Sequence, residues 1–330
     1  MQNLPQLFLE RLEKIIPPEH WETVKTLFGT PRPLAVRINT LKIHEEDAAE
    51  RLRRDHIDFI QPAWCRQALI IKNRATRDFF EHDFIKTGQL YIQSLSSLLP
   101  ALVLDPRPNE AVLDLCAAPG SKTTQMAALM NNQGTITAVE PIRGRYYKLR
   151  SIVEQLGVNN VSFKTADGRK FARDRNAAVL QLFNKILVDA PCSFEGRFKT
   201  FDEESFAYWS PRKIKEMVRK QRGLVLNASR LLKPGGLLVY STCTFAVEEN
   251  EGVVDWLLRK TKGALQVIPI EFPEILSYPA ITARGKKVFN NDIKNCFRVL
   301  PTEMMEGFFM AKMVNVTKNV TKSQVTCSTL

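Results

Sequence analysis

The stretch Asp114-Leu115-Cys116-Ala117-Ala118-Pro119-Gly120-Ser121-Lys122 decides how this chain is interpreted. It ends an apolar run (residues 111–115) and leads into a segment of helical character (residues 121–131). A strand, a loop of small residues and a helix in this order are typical of an open α/β sheet, which binds ligands at the carboxyl ends of its strands. The small side chains let the backbone approach a ligand, and the free N–H groups of the helix attract a carboxylate or a phosphate.

Two kinds of ligand compete for this loop. A nicotinamide or flavin dinucleotide site usually has the pattern G-x-G-x-x-G, whereas this loop has one glycine, Gly120, next to Pro119. A methyl donor has no pyrophosphate to cradle, so its site can do without the other glycines. The residues therefore favour a methyl donor, and a tight turn without a ligand stays open as the third interpretation.

Acidic side chains end the two strands predicted after this loop. Glu140 comes 20 residues after Gly120, a position where a carboxylate can hold ribose hydroxyls. Asp167 ends the third strand, within reach of an adenine amino group. Both carboxylates are therefore candidate cofactor contacts.

Strands and helices continue to alternate up to residue 313. The predicted strands are residues 111–115, 135–140, 161–167, 185–189, 236–241, 297–300 and 308–313, and the predicted helices are residues 121–131, 143–156, 211–232 and 247–259. The alternation predicts a doubly wound α/β sheet with helices on both faces. The short connection between the last two strands predicts that they are antiparallel.

The regions on either side of this sheet have a different character. Residues 1–105 are mainly helical, with a strand at residues 34–41 and a charged amphipathic helix at residues 45–54, and they predict a smaller α+β domain. Residues 106–313 form the sheet domain. Residues 314–330 are rich in Thr, Lys, Asn and Val without aromatic residues, and we predict a disordered tail.

Composition narrows the classes of function. The 330 residues are 44% hydrophobic and 25% charged, as in ordinary globular proteins. The net charge of 47 − 35 = +12 favours a polyanionic partner, nucleic acid before a membrane surface. The apolar stretches are far shorter than the roughly 20 residues of a spanning helix, and the first residues lack the pattern of a secretory signal. We therefore expect a cytoplasmic protein that does not bind membranes.

Two cysteines follow directly after two predicted strands, Cys192 in DAPCS (189–193) and Cys243 in STCT (241–244). The carboxyl ends of parallel strands share one side of a sheet, so both thiols and Asp189 should border one cleft with the cofactor loop. A single buried cysteine is most often an inert small hydrophobe, but two at neighbouring strand ends indicate chemistry. A disulfide is disfavoured in the cytoplasm, and the six cysteines show no zinc spacing, so no metal is expected.

These motifs carry a resemblance to a known family. DLCAAPGSKT (114–123), DAPCS and STCT, in this order and spacing, resemble the Sun-domain (Fmu/Sun) family of RNA cytosine-5 methyltransferases. The likeness extends from about residue 31 to residue 313 and includes PLAVRINTLK (33–42), GQLYIQ (88–93) and GFF (307–309). It implies a Rossmann-like class I methyltransferase sheet with an antiparallel last strand, and methyl transfer from S-adenosylmethionine to carbon-5 of a cytosine in RNA.

The resemblance also implies roles for particular residues. Cys243 is the nucleophile, Cys192 is the second cysteine that helps to release the product, and Asp189 contacts the base near its ring nitrogen. Lys122 anchors the loop or the carboxylate of the methyl donor. The implied contacts of S-adenosylmethionine are Cys116, Ala117, Ala118, Pro119, Gly120, Ser121, Lys122, Glu140, Asp167 and Asp189.

The chemistry explains these residue types. Carbon-5 of cytosine is too weak a nucleophile to take a methyl group until a thiolate adds to carbon-6, and a nearby acid at the ring nitrogen assists that addition. Because the thiolate is the reactive form, we expect cationic or donor-rich surroundings for Cys243.

Two positions depart from the family pattern. Phe194 stands where the family usually has glycine after DAPCS, and a bulky side chain there can narrow the base pocket or change the loop. Ser94-Leu95 stands where the family often has Asp-Pro. The nucleophile motif and the cofactor loop are intact, so activity is still expected.

RNA contacts are expected from Arg37, in the N-terminal signature, and from Arg197 and Lys199, which follow the Cys192 loop. Aromatic side chains near that loop offer stacking surface for an extruded base, or else a local core beneath it. They are Phe194, Phe198, Phe201, Tyr208 and Trp209. Recognition is assigned to residues 1–105 and the rim of the cleft.

Two other classes of protein compete with the methyltransferase. A dehydrogenase would need the missing glycines, and a catalytically silent RNA-binding scaffold would be indicated by loss of either cysteine or of Asp189. DNA cytosine enzymes take their nucleophile from a Pro-Cys that Cys192 superficially matches, whereas the Thr-Cys at Cys243 favours the RNA type. We expect a monomer that acts on ribosomal RNA, with transfer RNA as the alternative.

Overall fold

The computed structural model describes residues 4–72, 76–171 and 183–317. Its helices are α1 (Gln6–Glu13), α2 (Trp21–Leu27), α3 (Glu45–Arg54), α4 (Thr76–Phe80), α5 (Asp83–Lys86), α6 (Leu95–Leu104), α7 (Ser121–Leu129), α8 (Arg143–Gln155), α9 (Pro211–Leu231) and α10 (Glu251–Thr261). Its strands are β1 (Leu34–Ile38), β2 (Phe59–Ile60), β3 (Ala68–Ile71), β4 (Leu90–Ile92), β5 (Ala111–Asp114), β6 (Thr135–Val139), β7 (Val161–Lys164), β8 (Phe183–Asp189), β9 (Leu232–Thr242), β10 (Leu265–Ile268), β11 (Ser277–Tyr278), β12 (Ala283–Arg284), β13 (Lys287–Val288), β14 (Phe297–Val299) and β15 (Phe308–Asn315).

The larger sheet has the strand order β11-β14-β15-β9-β8-β5-β6-β7, and β10 pairs with β15. Strands β5 to β9 are parallel, while β15 is antiparallel to β9, to β10 and to β14. The predicted α/β sheet with an antiparallel last strand is therefore confirmed. Asp189 pairs with Ser241, so β8 and β9 end side by side.

Helix α9 illustrates how the sequence builds a layer over this sheet. Its start is fixed by Ser210, whose side chain accepts a hydrogen bond from the Lys213 amide, and by Pro211 in the first turn. Ile214, Leu224 and other apolar residues at helical spacing are buried, while the charged residues lie on the opposite face. The resulting contact presses the helix against β8 and β9.

The N-terminal region contains a second sheet of order β2-β3-β1-β4, with antiparallel pairing. The predicted strand and the predicted charged helix of this region correspond to β1 and α3. The other three strands are two to four residues long, too short for an alternating pattern to reveal them. Asn39, just after β1, joins the N-terminal domain to the end of α8, because its amide donates to the carbonyl oxygens of Gly88 and Leu156, both at 2.8 Å.

Two details differ from the expected organisation. Helix α6 precedes residue 106, but it packs on α7, β8 and β9 of the larger sheet. Strand β15 continues past residue 313, because Val314 pairs with Leu237 and Asn315 pairs with Leu265. This part of the predicted tail is strand, and residues 318–330 lie outside the described residues. Across the described ranges, no helix is long and apolar enough to cross a bilayer.

Candidate active site

A cavity of about 690 Å³ lies at the carboxyl ends of the parallel strands. Its walls include most residues that the sequence singles out: Cys116, Ala117, Ala118, Pro119, Ser121, Lys122, Glu140, Asp167, Asp189, Arg197 and Cys243. Gly120, Cys192, Arg37 and Lys199 are not among the lining residues. A volume of this size suits a nucleoside-containing small molecule.

Gly120 acts through its backbone. It directly precedes α7 with φ of +116°, a conformation that favours glycine. A Cβ atom at this position would lie 3.1 Å from Leu149 Cδ1 of α8. The glycine therefore permits the turn into α7 and the close packing of α8, even though it does not face the cavity.

Glu140 is 1% exposed and is held from two sides. Its Oε1 atom accepts a hydrogen bond from the Ile142 amide at 2.9 Å, and its Oε2 atom lies 3.4 Å from Arg145 Nη1. Arg145 also donates to the Ala118 carbonyl at 2.7 Å, so it ties the cofactor loop to the end of β6. No sequence pattern indicates this role, because Arg145 is one of several basic residues on α8.

Asp114, at the end of β5, is a second feature that the sequence analysis left out of the site. Its Oδ2 atom accepts a hydrogen bond from Thr123 at 2.7 Å, while its buried Oδ1 atom has no partner among the described residues. Burial raises the pKa of this carboxyl to about 6. A ligand with N–H or O–H groups would satisfy the free oxygen, so this half of the cavity fits a donor such as S-adenosylmethionine.

Asp167 lines the cavity, but its carboxylate is occupied. Arg169 Nη2 donates to Oδ2 at 2.6 Å and Arg169 Nε lies 3.0 Å from both oxygens. The hydrogen bonds from Arg169 lower the pKa of Asp167, so the carboxylate is charged at neutral pH. Contact between Asp167 and an adenine amino group stays a prediction.

The two thiols meet where β8 and β9 end. Cys192 Sγ lies 3.3 Å from Cys243 Sγ, both cysteines are free, and both are buried. The hydrogen bond from Cys192 and the nearby guanidinium of Arg197 lower the pKa of Cys243, against the effect of burial. Burial and the same hydrogen bond raise the pKa of Cys192 well above its usual value. The pair is therefore asymmetric, with the thiolate favoured at Cys243.

Asp189 joins the thiols to the cofactor loop. Its Oδ2 atom lies 2.8 Å from Lys122 Nζ, and its Oδ1 atom accepts a hydrogen bond from Ser241 at 2.8 Å. Lys122 also donates to Ser97 Oγ at 2.9 Å. The ammonium group thus anchors Asp189, which points its partly exposed carboxylate toward the cavity.

The loop that carries Cys192 is supported from below by two buried acids. Glu249 Oε2 accepts from the Ser193 amide at 3.1 Å and from Gln221 at 2.7 Å, and burial raises the pKa of Glu249 to about 8. Glu195 accepts from Trp209, at 2.8 Å, and from the Phe245 amide, at 3.0 Å. Sequence patterns gave no sign of this support, since the acids and their partners are far apart in the chain.

The predicted RNA contacts separate into three groups. Arg37 is 2% exposed and donates to Thr124 Oγ1 at 2.9 Å, so its side chain is turned into the protein, and contact between Arg37 and RNA stays a prediction. Arg197 lines the cavity, and the negative charge of Cys243 raises the pKa of its guanidinium. Lys199 is exposed, with its ammonium group 5.8 Å from the centre of the Phe201 ring. Lys199 therefore remains available to a polyanion.

The aromatic residues also divide. Phe198 is buried against Phe8, and Trp209 packs on the same ring, so these two belong to a core beneath the loop. Phe201 and Tyr208 are exposed and do not line the cavity. Phe194 is exposed and does line it. The group predicted from sequence is thus part core and part surface.

Comparisons with known proteins agree with this geometry. The profile of the family described as 16S rRNA methyltransferase RsmB/F matches residues 101–314, and that of an RsmF/B-like, ferredoxin-like domain matches residues 4–76. The ribosomal RNA small subunit methyltransferase F of Klebsiella pneumoniae (strain 342) is 35% identical over 319 residues, which are 94% of this chain and 63% of that protein. The chain thus spans less than two thirds of the length of that curated relative.

Solved structures give the same result for the fold. A methyltransferase homolog from Pyrococcus horikoshii is 30% identical, with a TM-score of 0.78 over 94% of this chain and 100% of that one. NSun6 from Pyrococcus horikoshii, solved with SFG, is 22% identical, with a TM-score of 0.79 over 96% of this chain and 99% of that one.

Proposed function

Because the chain belongs to the 16S rRNA methyltransferase RsmB/F family, we propose that it transfers a methyl group from S-adenosylmethionine to carbon-5 of a cytosine in ribosomal RNA of the small subunit. The observation that carries this proposal is the pair of free thiols 3.3 Å apart, one of which lines the same cavity as the cofactor loop. The printed name of the Klebsiella relative supports ribosomal RNA as the substrate class.

The residues that would hold the donor are those of the loop together with Asp114, Glu140 and Asp167. When bound, S-adenosylmethionine supplies an electrophilic methyl group. Glu140 offers a buried carboxylate for ribose hydroxyls, and the unpartnered Oδ1 atom of Asp114 offers an acceptor for a donor group of the ligand. Cys116 also lines this half, but burial raises its pKa well above the usual value, so it stays a neutral thiol and does not compete with Cys243.

Cys243 is the proposed nucleophile. Its thiolate forms a bond with carbon-6 of cytosine, and the electron pair of the carbon-5–carbon-6 double bond makes carbon-5 nucleophilic. Asp189, held by Lys122 and Ser241, lies in the same cavity and faces the polar edge of the base. The charge of Arg197 favours the thiolate before the addition.

Cys192 is the proposed release residue. After methylation a water molecule takes the proton from carbon-5, the electron pair of that C–H bond forms the double bond again, and the electron pair of the bond between carbon-6 and sulfur leaves with Cys243 as its thiolate. The thiol of Cys192, a neutral donor 3.3 Å away, can then hydrogen-bond to the departing thiolate. Removing this donor should slow release more than it slows addition.

We further propose that residues 1–105 contribute to RNA recognition and that residues 106–313 perform the transfer. The match of residues 4–76 to a ferredoxin-like domain found in RsmF/B-like proteins supports a separate role for the first part. The hydrogen bond from Asn39 to the Leu156 carbonyl, at the end of α8, supports a fixed position of that domain against the sheet domain.

Covalent trapping tests the reaction. Cys192→Ala should accumulate a protein–RNA complex that survives denaturing gel electrophoresis when it is incubated with S-adenosylmethionine and small-subunit rRNA from cells that lack the protein. The Cys192→Ala/Cys243→Ala variant is the matched control and should form no complex. A complex that persists in the double variant would assign the nucleophile elsewhere.

Sequencing of bisulfite-treated RNA tests the substrate. We expect one or more cytosines of small-subunit rRNA to lose protection in cells that lack the protein, and to regain it with wild-type protein but not with Cys243→Ala. Loss of protection in transfer RNA, with unchanged rRNA, would replace the proposed substrate by the alternative one.

A further inference from the structure

Phe194 adopts a backbone conformation that is unfavourable for its side chain. Its φ and ψ angles are 59° and 19°, in the left-handed region that glycine tolerates and bulky residues avoid. Such a conformation is strained for a residue that carries a Cβ atom. The family pattern has glycine at this position. Glycine would adopt the same backbone conformation without strain, and this chain has Phe194 instead.

Contacts on both sides of Phe194 fix its backbone conformation. Ser193 and Glu195, its two neighbours, are both buried, and both are hydrogen-bonded to residues beneath the loop. The Gly196 amide donates to the Cys243 carbonyl at 2.9 Å. These contacts fix the chain on both sides of Phe194 and hold its side chain outward.

The ring of Phe194 contributes little to the stability of the folded protein, so it does not offset the backbone strain. Phe194 is 48% exposed, and its ring contacts no other aromatic ring among the residues that the structure describes, whereas Phe198, four residues later, is buried among aromatic rings. Burial of a Phe side chain stabilises a folded protein by removing the ring from water, and the exposed part of Phe194 makes no such contribution. A strained backbone and an exposed ring together indicate that the side chain is used by something that binds.

The cavity defines what can bind there. Phe194 lines it together with Asp189, Arg197 and Cys243. A nucleophile adds to the face of a pyrimidine ring, so the target base turns one face to Cys243, and the rest of its surface needs cover from the walls. An exposed aromatic ring at this end provides a stacking surface for a planar base.

We propose that Phe194 is a base-stacking residue, whose ring covers the target cytosine when it enters the cavity. This inference rests on the proposed function and adds a residue that sets how tightly the base is held. Stacking of a base on an aromatic side chain contributes about 1–3 kcal/mol, or roughly 5- to 150-fold in affinity. The same ring contributes nothing to the binding of S-adenosylmethionine.

The test compares four substitutions at one position. Phe194→Gly removes the ring and the strain, Phe194→Ala removes the ring and keeps the strain, Phe194→Leu keeps an apolar side chain without an aromatic face, and Phe194→Trp keeps the aromatic face. The readouts are transfer of tritiated methyl groups to small-subunit rRNA from cells that lack the protein, the Kd of S-adenosylmethionine by calorimetry, and Tm. Tyr208→Ala is the matched control, because Tyr208 is an exposed aromatic residue outside the cavity.

We expect kcat/KM to fall roughly 5- to 150-fold in Phe194→Gly and Phe194→Ala, mainly through KM, with a smaller loss in Phe194→Leu. Phe194→Trp and Tyr208→Ala should stay within about threefold of wild type. Phe194→Gly should be at least as stable as wild type, because glycine relieves the strain, so its loss of activity cannot come from unfolding.

Three outcomes would overturn the inference. Equal kcat/KM in Phe194→Gly and wild type would mean that the ring is not used, and a weakened Kd for S-adenosylmethionine would assign the ring to donor binding. Equal losses in Phe194→Trp and Phe194→Gly would exclude stacking as the cause. If wild-type protein leaves every RNA unlabelled, the proposed function itself fails, which is a different result from activity that ignores Phe194.

Discussion

The two halves of the cavity are built by different means. The donor half, formed by the loop at residues 116–122 with Glu140 and Asp167, relies on small side chains, backbone groups and carboxylates that are already held by arginines. The thiol half, formed by Asp189, Phe194, Arg197 and Cys243, relies on charges that act on one another and on the half-exposed ring of Phe194. Changes in the first half should therefore alter binding, and changes in the second should alter rate and pH dependence.

The largest effect is expected at Cys243. Cys243→Ala removes the proposed nucleophile, so methyl transfer should fall below about one thousandth of the wild-type rate. The Kd of S-adenosylmethionine should change little, because the donor is held by the other half of the cavity. Tritium transfer to small-subunit rRNA and calorimetric titration of the donor measure the two quantities.

Cys296 supplies the control for that substitution. It is a buried free cysteine outside the cavity, and burial raises its pKa, so Cys296→Ala should lower stability without removing activity. Comparable turnover in Cys243→Ala and Cys296→Ala would refute the division between the two halves, since the thiol half would then contain no essential nucleophile.

An intermediate effect is expected at Arg197. Its guanidinium faces Cys243 and lowers the pKa of that thiol, so the thiolate is populated at lower pH. Arg197→Gln should raise the pKa of Cys243, shift the acid limb of the pH profile of kcat/KM upward, and reduce the rate at pH 7 on the order of tenfold, the effect of about 1.4 kcal/mol. Arg197→Lys, which keeps the charge, should retain most of the profile.

The sign of that shift separates two roles of Arg197. A thiolate reacts, so the rate rises as pH increases through the pKa of Cys243, and a variant with a raised pKa regains activity at higher pH. Phosphate binding would instead raise KM at every pH. If Arg197→Gln lowered kcat/KM by the same factor at every pH between 6 and 9, with the acid limb of the profile unmoved, Arg197 would be assigned to RNA binding.

The roles of Arg197 and Arg37 show which structural features can be predicted from the sequence and which cannot. The strand ends could be predicted because each follows an apolar run and carries small or acidic residues, and Asp189 and Cys243 were located in this way. Arg37 belongs to the N-terminal signature, and only its hydrogen bond to Thr124 of α7 in the folded chain reveals that its guanidinium is buried. Contacts between distant segments leave no local pattern, and the same reason hid the partners of Glu249.

Asp114 is a different kind of omission. It ends the first strand in the same way that Glu140 and Asp167 follow the next two, so the rule that selected those residues applies to it as well. Its special state, a buried carboxyl with one free oxygen, depends on Thr123 and on the depth of the cavity. The position could have been predicted from the sequence, whereas the free oxygen could not.

The smallest effect is expected in the donor half, at Asp167. Asp167→Ala removes a predicted partner of the adenine amino group, and because the carboxylate is 35% exposed, S-adenosylmethionine binding should weaken only about fivefold, the lower end of the range for a lost hydrogen-bond partner. It should leave the salt dependence of RNA binding unchanged, because a residue that contacts the donor displaces no counterions from RNA. Calorimetry of the donor and RNA binding at several salt concentrations measure the two effects in the same preparation.

The opposite effects are expected for Lys199→Ala, which therefore serves as the comparison for Asp167→Ala. The ammonium group of Lys199 is exposed, and Lys199 is not part of the cavity lining. Lys199→Ala should therefore weaken RNA binding and flatten the dependence of log K on log salt by about 0.7 for one lost contact to single-stranded phosphate. The donor Kd should stay at the wild-type value.

The hydrogen bonds from Arg169 to Asp167 sharpen the comparison, because the guanidinium must share that carboxylate with an adenine amino group. If Asp167→Ala left donor affinity unchanged, the Arg169 pair would be structural, and the adenine would be held by other groups of the donor half. Equal loss of donor affinity in Asp167→Ala and Lys199→Ala would contradict the separation of donor and RNA contacts on which both halves of the cavity were defined.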